Sequence, residues 1–405
     1  MNKHLFMAAV ALVAGASALS AQTQLLKQAE KSGGKPADVV KILTPAFSDP
    51  ETSKMSQTYM IPANAFFKEY DELFGFKQLG KTPEGGDKKM SDDLLEGYAY
   101  YMKALSVDTV VDAKGKVKAK NSGKIINALS GHANDFNNAA LSYWELKEYN
   151  NAYRAWDAFL GFYEDPRFQG KIVAQADTVL GEIYFNQALA AWQADSLQNA
   201  LGAFANAQRK GYGKKQLYDY AMSVASLAKD QDAVIKWASE GNAKYGAEDP
   251  NYLGNIINVH LQNKEFDKAF NYIDKAIAAE PGNAQYYVIK GILYENQEKK
   301  PEAKEMFLKA VTLDPQNQQA NSLYGASLCQ EAYKLSDEAP TSAAEYQAYF
   351  DSKIKPLFIE ATKYLEKAYT IDPENSGEAL RYLDNIYYNL HDEKMQEDVK
   401  RRQGL

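Results

Sequence analysis

Gly75, Gly80, Lys81 and Thr82 stand at the spacing of a phosphate-binding loop, G-x-x-x-x-G-K-[ST]. That chemistry needs a buried β-strand running into the loop and a helix leaving it, so that helix N-terminal amides and the lysine share the phosphates. Here residues 64–74 read NAFFKEYDELF, charged and helical in period, and Thr82 is followed by Pro83, Glu84, Gly85, Gly86 and Asp87, a poor helix opening. Val110, Val111 and Asp112 are the nearest approach to an apolar strand ending in a metal-binding carboxylate, and the run is short. The context fails on both sides. Gly75–Thr82 reads as a connection between helices, and a nucleotide-binding enzyme is the weakest alternative.

Lys114, Lys116, Lys118 and Lys120, with Lys124 beyond, form the sharpest local charge feature. Spaced by two, the first four share one face if the segment is extended, a basic ridge on an acidic protein. Such a ridge suits an anionic partner or lipid surface, giving a peripheral envelope association as the second reading. The plainer reading is a solvated loop or short exposed hairpin before a helix that begins near Lys124. His132, His260 and His391 are far apart in sequence, and no carboxylate pair is singled out. No catalytic or metal-ligating residue is therefore assigned, and no cofactor.

The start of the chain is built like an export signal. Lys3 and His4 precede an apolar run from Leu5 to Leu19, and Ala18, Ser20 and Ala21 are small. The run is too short for the ~20 residues that span a bilayer. Cleavage is expected after Ala21, leaving a soluble chain in the periplasm or outside the cell. Cys329 is the only cysteine, so no intramolecular disulfide forms and no cysteine ends the signal to take a lipid. The net charge of −7 argues against a nucleic-acid partner. Hydrophobic content of 45 % excludes a disordered chain. Tyrosine, with 28 copies, is the compositional outlier and suits half-buried helix faces and contact surfaces.

The elements that must carry any site are helices. From Pro281 to Pro315 the sequence repeats with a period of 34, each unit two amphipathic segments, a polar turn and a closing proline. With Pro250 as the first position, the key sites are Leu253, Ile256, Ile257, His260, Ala269, Ile273, Ala276 and Pro281. From Ala284 they are Tyr287, Lys290, Gly291, Tyr294, Ala303, Phe307, Ala310 and Pro315. Gly291, Ala303 and Ala310 are small enough for two helices to approach, and proline stops the second helix. His260 and Lys290 depart from the pattern and are expected at the rim. The grammar continues outward through Ala140, Tyr143, Ala152 and Trp156, then Gly181, Tyr184, Ala200 and Phe204, then Leu217, Ala221, Val224 and Trp237. It resumes after Pro315 at Gly325, Leu328, Ala361, Leu365, Ala368 and Pro373, with about 24 inserted residues.

These positions resemble the tetratricopeptide repeat family. The resemblance implies an all-α, right-handed superhelix of helical hairpins and a non-catalytic scaffold that binds protein or peptide partners on its concave surface. The expected division is a signal over 1–21, degenerate helical units over 22–130, and repeats over 131–375 with an insertion at about 330–356. A capping helix and tail follow over 376–405. Ser91–Leu105 is expected to be a first helix of a repeat. The family lines its groove at positions 2, 5, 9 and 12 of each first helix. Those positions hold Lys215, Tyr218, Met222 and Ala225, then Asn251, Gly254, Asn258 and Leu261, then Gln285, Val288, Ile292 and Glu295. Tyr218, Met222, Asn251, Asn258, Gln285 and Glu295 are the candidate partner-binding residues. Gly254, Gln285 and Ile289 stand where a carboxylate clamp would need basic side chains, so the groove reads as polar and aromatic, for an extended segment or another helix.

Overall fold

The structure, a computed structural model, describes residues 23–111, 117–246 and 248–404. The expected export signal, Lys114 and Lys116 lie outside them. The chain divides into two compact units, the second beginning at Asp230.

Among the described residues the first unit is helical apart from a two-residue antiparallel ladder. Its helices are α1 (23–32), α2 (Pro36–Ser48), α3 (Ser56–Gln78), α4 (Gly86–Val107), α5 (Ser122–Gly131), α6 (Ala133–Glu145), α7 (Tyr149–Glu164), α8 (Asp177–Gln193), α9 (Leu197–Arg209) and α10 (Lys215–Leu227). Each helix from α6 to α9 packs on the one that follows it. Ser91–Leu105, expected to open a repeat, lies in α4, which is instead the second helix of a long hairpin with α3. The cause is visible at Gly97, where an added Cβ would stand 2.7 Å from the Phe67 ring. The small residue lets α4 press onto the helix before it.

The second unit holds α11 (Gln231–Tyr245), α12 (Asn251–Gln262), α13 (Phe266–Ala279), α14 (Ala284–Asn296), α15 (Lys300–Leu313) and α16 (Gln318–Asp337). Then come α17 (Ala343–Tyr349), a π-helical turn (Phe350–Ile354), α18 (Lys355–Ile371), α19 (Gly377–Asn389) and α20 (Glu393–Arg402). Successive helices from α11 to α16 pack on one another, α18 packs on α16 across the interruption of α17, and α19 and α20 follow. Both units are therefore all-α helical-repeat structures.

One turn recurs throughout. Lys147, Asp195, Lys229, Lys264, Glu298 and His391 all have φ between 55° and 60°, each just past the end of a first helix. At Lys264 the amide donates to the Leu261 carbonyl at 2.9 Å, and Glu265 N–H reaches the His260 carbonyl at 2.8 Å. Glu298 and Lys299 make the same pair of bonds to Glu295 and Tyr294, at 2.8 and 2.9 Å. This is the left-handed helix stop that satisfies the last carbonyls of a helix. Second helices end differently: α13, α15 and α18 stop just before Pro281, Pro315 and Pro373, which cannot donate the next backbone bond.

The repeat positions are buried as their sizes require. Leu253, Ile257, Ala269 and Ile273 form a core with Tyr286 and Leu293, and Phe307, Ala310, Leu365 and Leu383 belong to the next. A Cβ on Gly291 would lie 2.3 Å from the Phe307 ring, so glycine sets that helix spacing. His260 corrects an expectation: it is 5 % exposed rather than at the rim. Its Nδ1 meets Glu265 Oε2 at 2.8 Å and its ring stacks on Tyr272. Lys290 is half-buried and pairs with Asp274 at 2.8 Å.

Candidate functional site

The first helices α12, α14 and α16 lie side by side in the second unit and line a cleft of 270 Å³. Repetition builds it. Asn251, Gln285 and Gln319 occupy the same place in three successive repeats, so their amides line up along one edge. Gln285 Nε2 donates to Gln319 Oε1 at 3.2 Å, and Asn317 Nδ2 donates to Gln285 Oε1 at 3.3 Å. Asn258 adds another amide one helical face along, and it is exposed. Ile257, Leu261, Ile289 and Ile292 give the cleft its apolar floor. Gly254 leaves it open, because nothing lies within 4 Å of where its Cβ would be.

Such a cleft is neutral. Its amides both donate and accept, which suits an extended backbone, while the floor accepts apolar side chains. Charge enters only farther along α14, at Glu295. Burial foremost, and the neighbouring Glu378 carboxylate next, raise its pKa above the ordinary carboxylate value, with Lys300 opposing.

Asn251, Asn258 and Gln285 thus stand together as expected of groove residues, with Gly254 and Ile292 beside them. Glu295 is on the same helix outside the cleft lining. Val288, placed in the groove by its position number, is instead wholly buried in the core. Tyr218 is likewise fully buried, in α10 of the first unit, and its side chain serves the core there rather than a surface. Met222, on the same helix, is half-buried. Gln319 is a further groove residue, outside the candidates of the three repeats above. Its signal was present, since it lies one period after Gln285.

The two other candidate segments take definite forms. Gly75 to Gln78 are the last turn of α3, and Gly80 at φ 66° ends it. Leu79, Gly80 and Lys81 amides bond back to the carbonyls of Gly75, Lys77 and Phe76, and Lys77 pairs with Asp87 at 2.8 Å. With helix before it and its amides already committed, the segment lacks the strand–loop–helix cradle that phosphate binding requires. In the basic segment, Val110 pairs with Lys118 and Val111 with Val117, a hairpin, and Lys118 and Lys120 are exposed. Its base is fastened by Asp108. Oδ2 accepts from Asn121 N at 2.7 Å, Ser122 N at 2.6 Å and the Ser122 hydroxyl at 2.8 Å, and Oδ1 accepts from the Ser56 hydroxyl at 2.9 Å. Burial pulls the Asp108 pKa up, but these hydrogen bonds outweigh it and hold the carboxyl below its ordinary range. Among the described residues no group of three or more His, Cys, Asp or Glu side chains is placed to hold a metal, and no helix is long and apolar enough to cross a membrane.

Comparison with known proteins bears on these repeats. No curated protein matches the chain. Among solved structures, Pseudomonas aeruginosa PilF is 13 % identical over 56 % of this chain and 90 % of its own, with a TM-score of 0.38. A TPR repeats protein from Bacteroides fragilis is 16 % identical over 66 % of this chain and 97 % of its own, at 0.35. MamA from Desulfovibrio magneticus is 15 % identical over 48 % and 96 %, at 0.31. The family model for the tetratricopeptide repeat matches residues 284–317, the span that opens at Ala284 in the register of the buried positions above. The matched span is α14 and α15 with their closing proline, and it is thus similar to a tetratricopeptide repeat.

Proposed function

We propose that this chain is an exported, non-catalytic scaffold whose second unit holds an extended segment of a protein partner in the cleft of α12, α14 and α16. The observation that carries the reading is the row of aligned amides, Asn251, Gln285 and Gln319, above an apolar floor. An extended backbone presents alternating donors and acceptors to such a row and sends alternate side chains toward the floor. The absence of charge from the cleft lining selects a neutral stretch, and a partner's terminal carboxylate finds no basic side chain there. Export to the periplasm or beyond rests on the build of residues 1–21. The acidic balance of the chain disfavours nucleic acid as a partner.

Gly254→Arg tests this directly. The new side chain points into open space, so it fills the cleft without disturbing the core. A photoactivatable cross-linker at position 258 should capture a partner in the cell envelope from the parent protein. The same cross-linker beside Gly254→Arg should capture none, at an unchanged melting temperature. A partner captured equally with the cleft filled, or none from the parent, removes the groove reading. Recovery in the cytoplasmic fraction alone removes export.

A further inference from the structure

A second cavity, of 360 Å³, lies in the second unit between the insertion and the turn of the last hairpin. Its walls include Tyr346 and Phe350 on one side, and Tyr387, Tyr388, Asp392 and Glu393 on the other. The π-helical turn arranges the first wall. Tyr346, Phe350, Ile354 and Phe358 follow at intervals of four, and the wider winding keeps the row on one side. Ile354 and Phe358 are buried in the core, Phe350 is half-buried, and Tyr346 is 37 % exposed. The Tyr346 and Phe350 rings stack at 6.2 Å. Opposite them, Tyr388 is 67 % exposed, and the Tyr387 hydroxyl is turned away to Glu366 at 3.1 Å.

The carboxylates of the cavity have no lysine or arginine partner among the described residues, and its one imidazole, His391, is exposed. Asp392 spends one oxygen on capping α20, accepting from Met395 N at 3.1 Å, and Glu393 makes no ion pair among the described residues. No lysine or arginine lines the cavity. Elsewhere in this chain cations lie over buried or half-buried tyrosine rings: Lys214 is 5.2 Å from the Tyr212 ring, Lys290 and Lys299 are 5.9 and 6.0 Å from Tyr294, and Arg402 is 5.1 Å from Tyr369. Tyr346 and Tyr388 have no such cover among the described residues. Aromatic faces beside free carboxylates attract a cation through both the ring quadrupole and the charge. A guanidinium fits better than an ammonium, because its plane stacks on a ring while its edge forks onto a carboxylate.

We propose that this cavity binds an arginine side chain of a protein partner, stacked on Tyr388 and Tyr346 and paired with Glu393. The site is separate from the groove and stands without it, so Gly254→Arg should leave it unchanged. The probe is acetyl-Gly-Arg-Gly-amide, titrated into the mature protein and followed by saturation-transfer NMR. Saturable binding is expected, weakened about three- to fivefold by Tyr388→Ala and similarly by Glu393→Gln, the size of one exposed cation–π contact or surface ion pair. Tyr388 and Glu393 are exposed, so both variants should fold, as far-ultraviolet circular dichroism checks. The citrulline peptide, equal in shape but neutral, should not bind. Equal binding of citrulline or of the lysine peptide, no loss in either variant, or no saturable binding overturns the proposal. Binding of an uncharged disaccharide in place of arginine would overturn it too and make the cavity a sugar site.

Discussion

Lys264 sits at φ 57° at the end of α12, in the left-handed region where a Cβ is strained and glycine is not. The same conformation at five other turns shows that hairpin geometry imposes it and the core supplies the cost. Lys264→Gly should therefore stabilise the chain by about 0.5–1 kcal/mol, read as a raised urea midpoint, because native strain is relieved. Gly291 runs the other way. Alanine there gains roughly 0.5–1 kcal/mol of helix propensity but drives a methyl into the Phe307 ring. Overpacking costs ~1–3 kcal/mol, so Gly291→Ala should lose about 1–2 kcal/mol in chemical denaturation. Cys329 is fully buried, with its thiol pushed up to about 12 by desolvation. It should resist thiol reagents at neutral pH until the second unit unfolds.

At the scale of elements, two carboxylates give opposite pH dependence. Asp108 ties α4, the basic hairpin, α5 and the start of α3 together, and its folded pKa is lowered. Its contribution is therefore fully present above the unfolded value of about 4 and is lost as pH falls through the folded value. Asp108→Ala should cost about 2–3 kcal/mol at pH 7, since it orphans buried donors, and Asp108→Asn should flatten the acid limb of the stability curve. Asp93, 1 % exposed on α4, pairs with Lys89, which also meets Glu69 at 2.7 Å. Burial dominates there and pushes its pKa up to about 6 against the ammonium. The folded state then holds the proton more tightly than the unfolded chain, so stability should fall as pH rises from about 4 to about 6. Urea midpoints across that window should show the decline in the parent and lose it in Asp93→Asn.

For the whole molecule, the boundary before Asp230 is a physical prediction about folding. The second unit has its own cores, around Ile257 and Ile273 and around Phe307, Leu365 and Leu383. It also ends on α20, whose Val399 is buried while Glu393, Lys394, Glu397, Lys400 and Arg401 face water. A polar outer face on a terminal helix closes a stack that would otherwise expose apolar surface. Residues 230–404 expressed alone should therefore give a helical spectrum and a cooperative thermal transition. A non-cooperative melt would mean that the cores need the first unit.

The sequence alone determined the hairpins, their period and most of their buried positions, because size and polarity at fixed spacing follow from burying one face of each helix. It also put Asn251, Asn258 and Gln285 in one groove, since repetition carries equivalent positions to equivalent places. It placed Tyr218 and Val288 there too, and tertiary packing put them in the core. A position number gives the direction of a side chain, while the neighbouring helix decides whether water reaches it. His260 became internal because Glu265 and Tyr272 offered its ring a bond and a stack. Only the tertiary structure brought Tyr346 of the insertion opposite Tyr388 of the last hairpin. No period relates an insertion to the repeat it interrupts, so contacts distant in the chain decide where it lies.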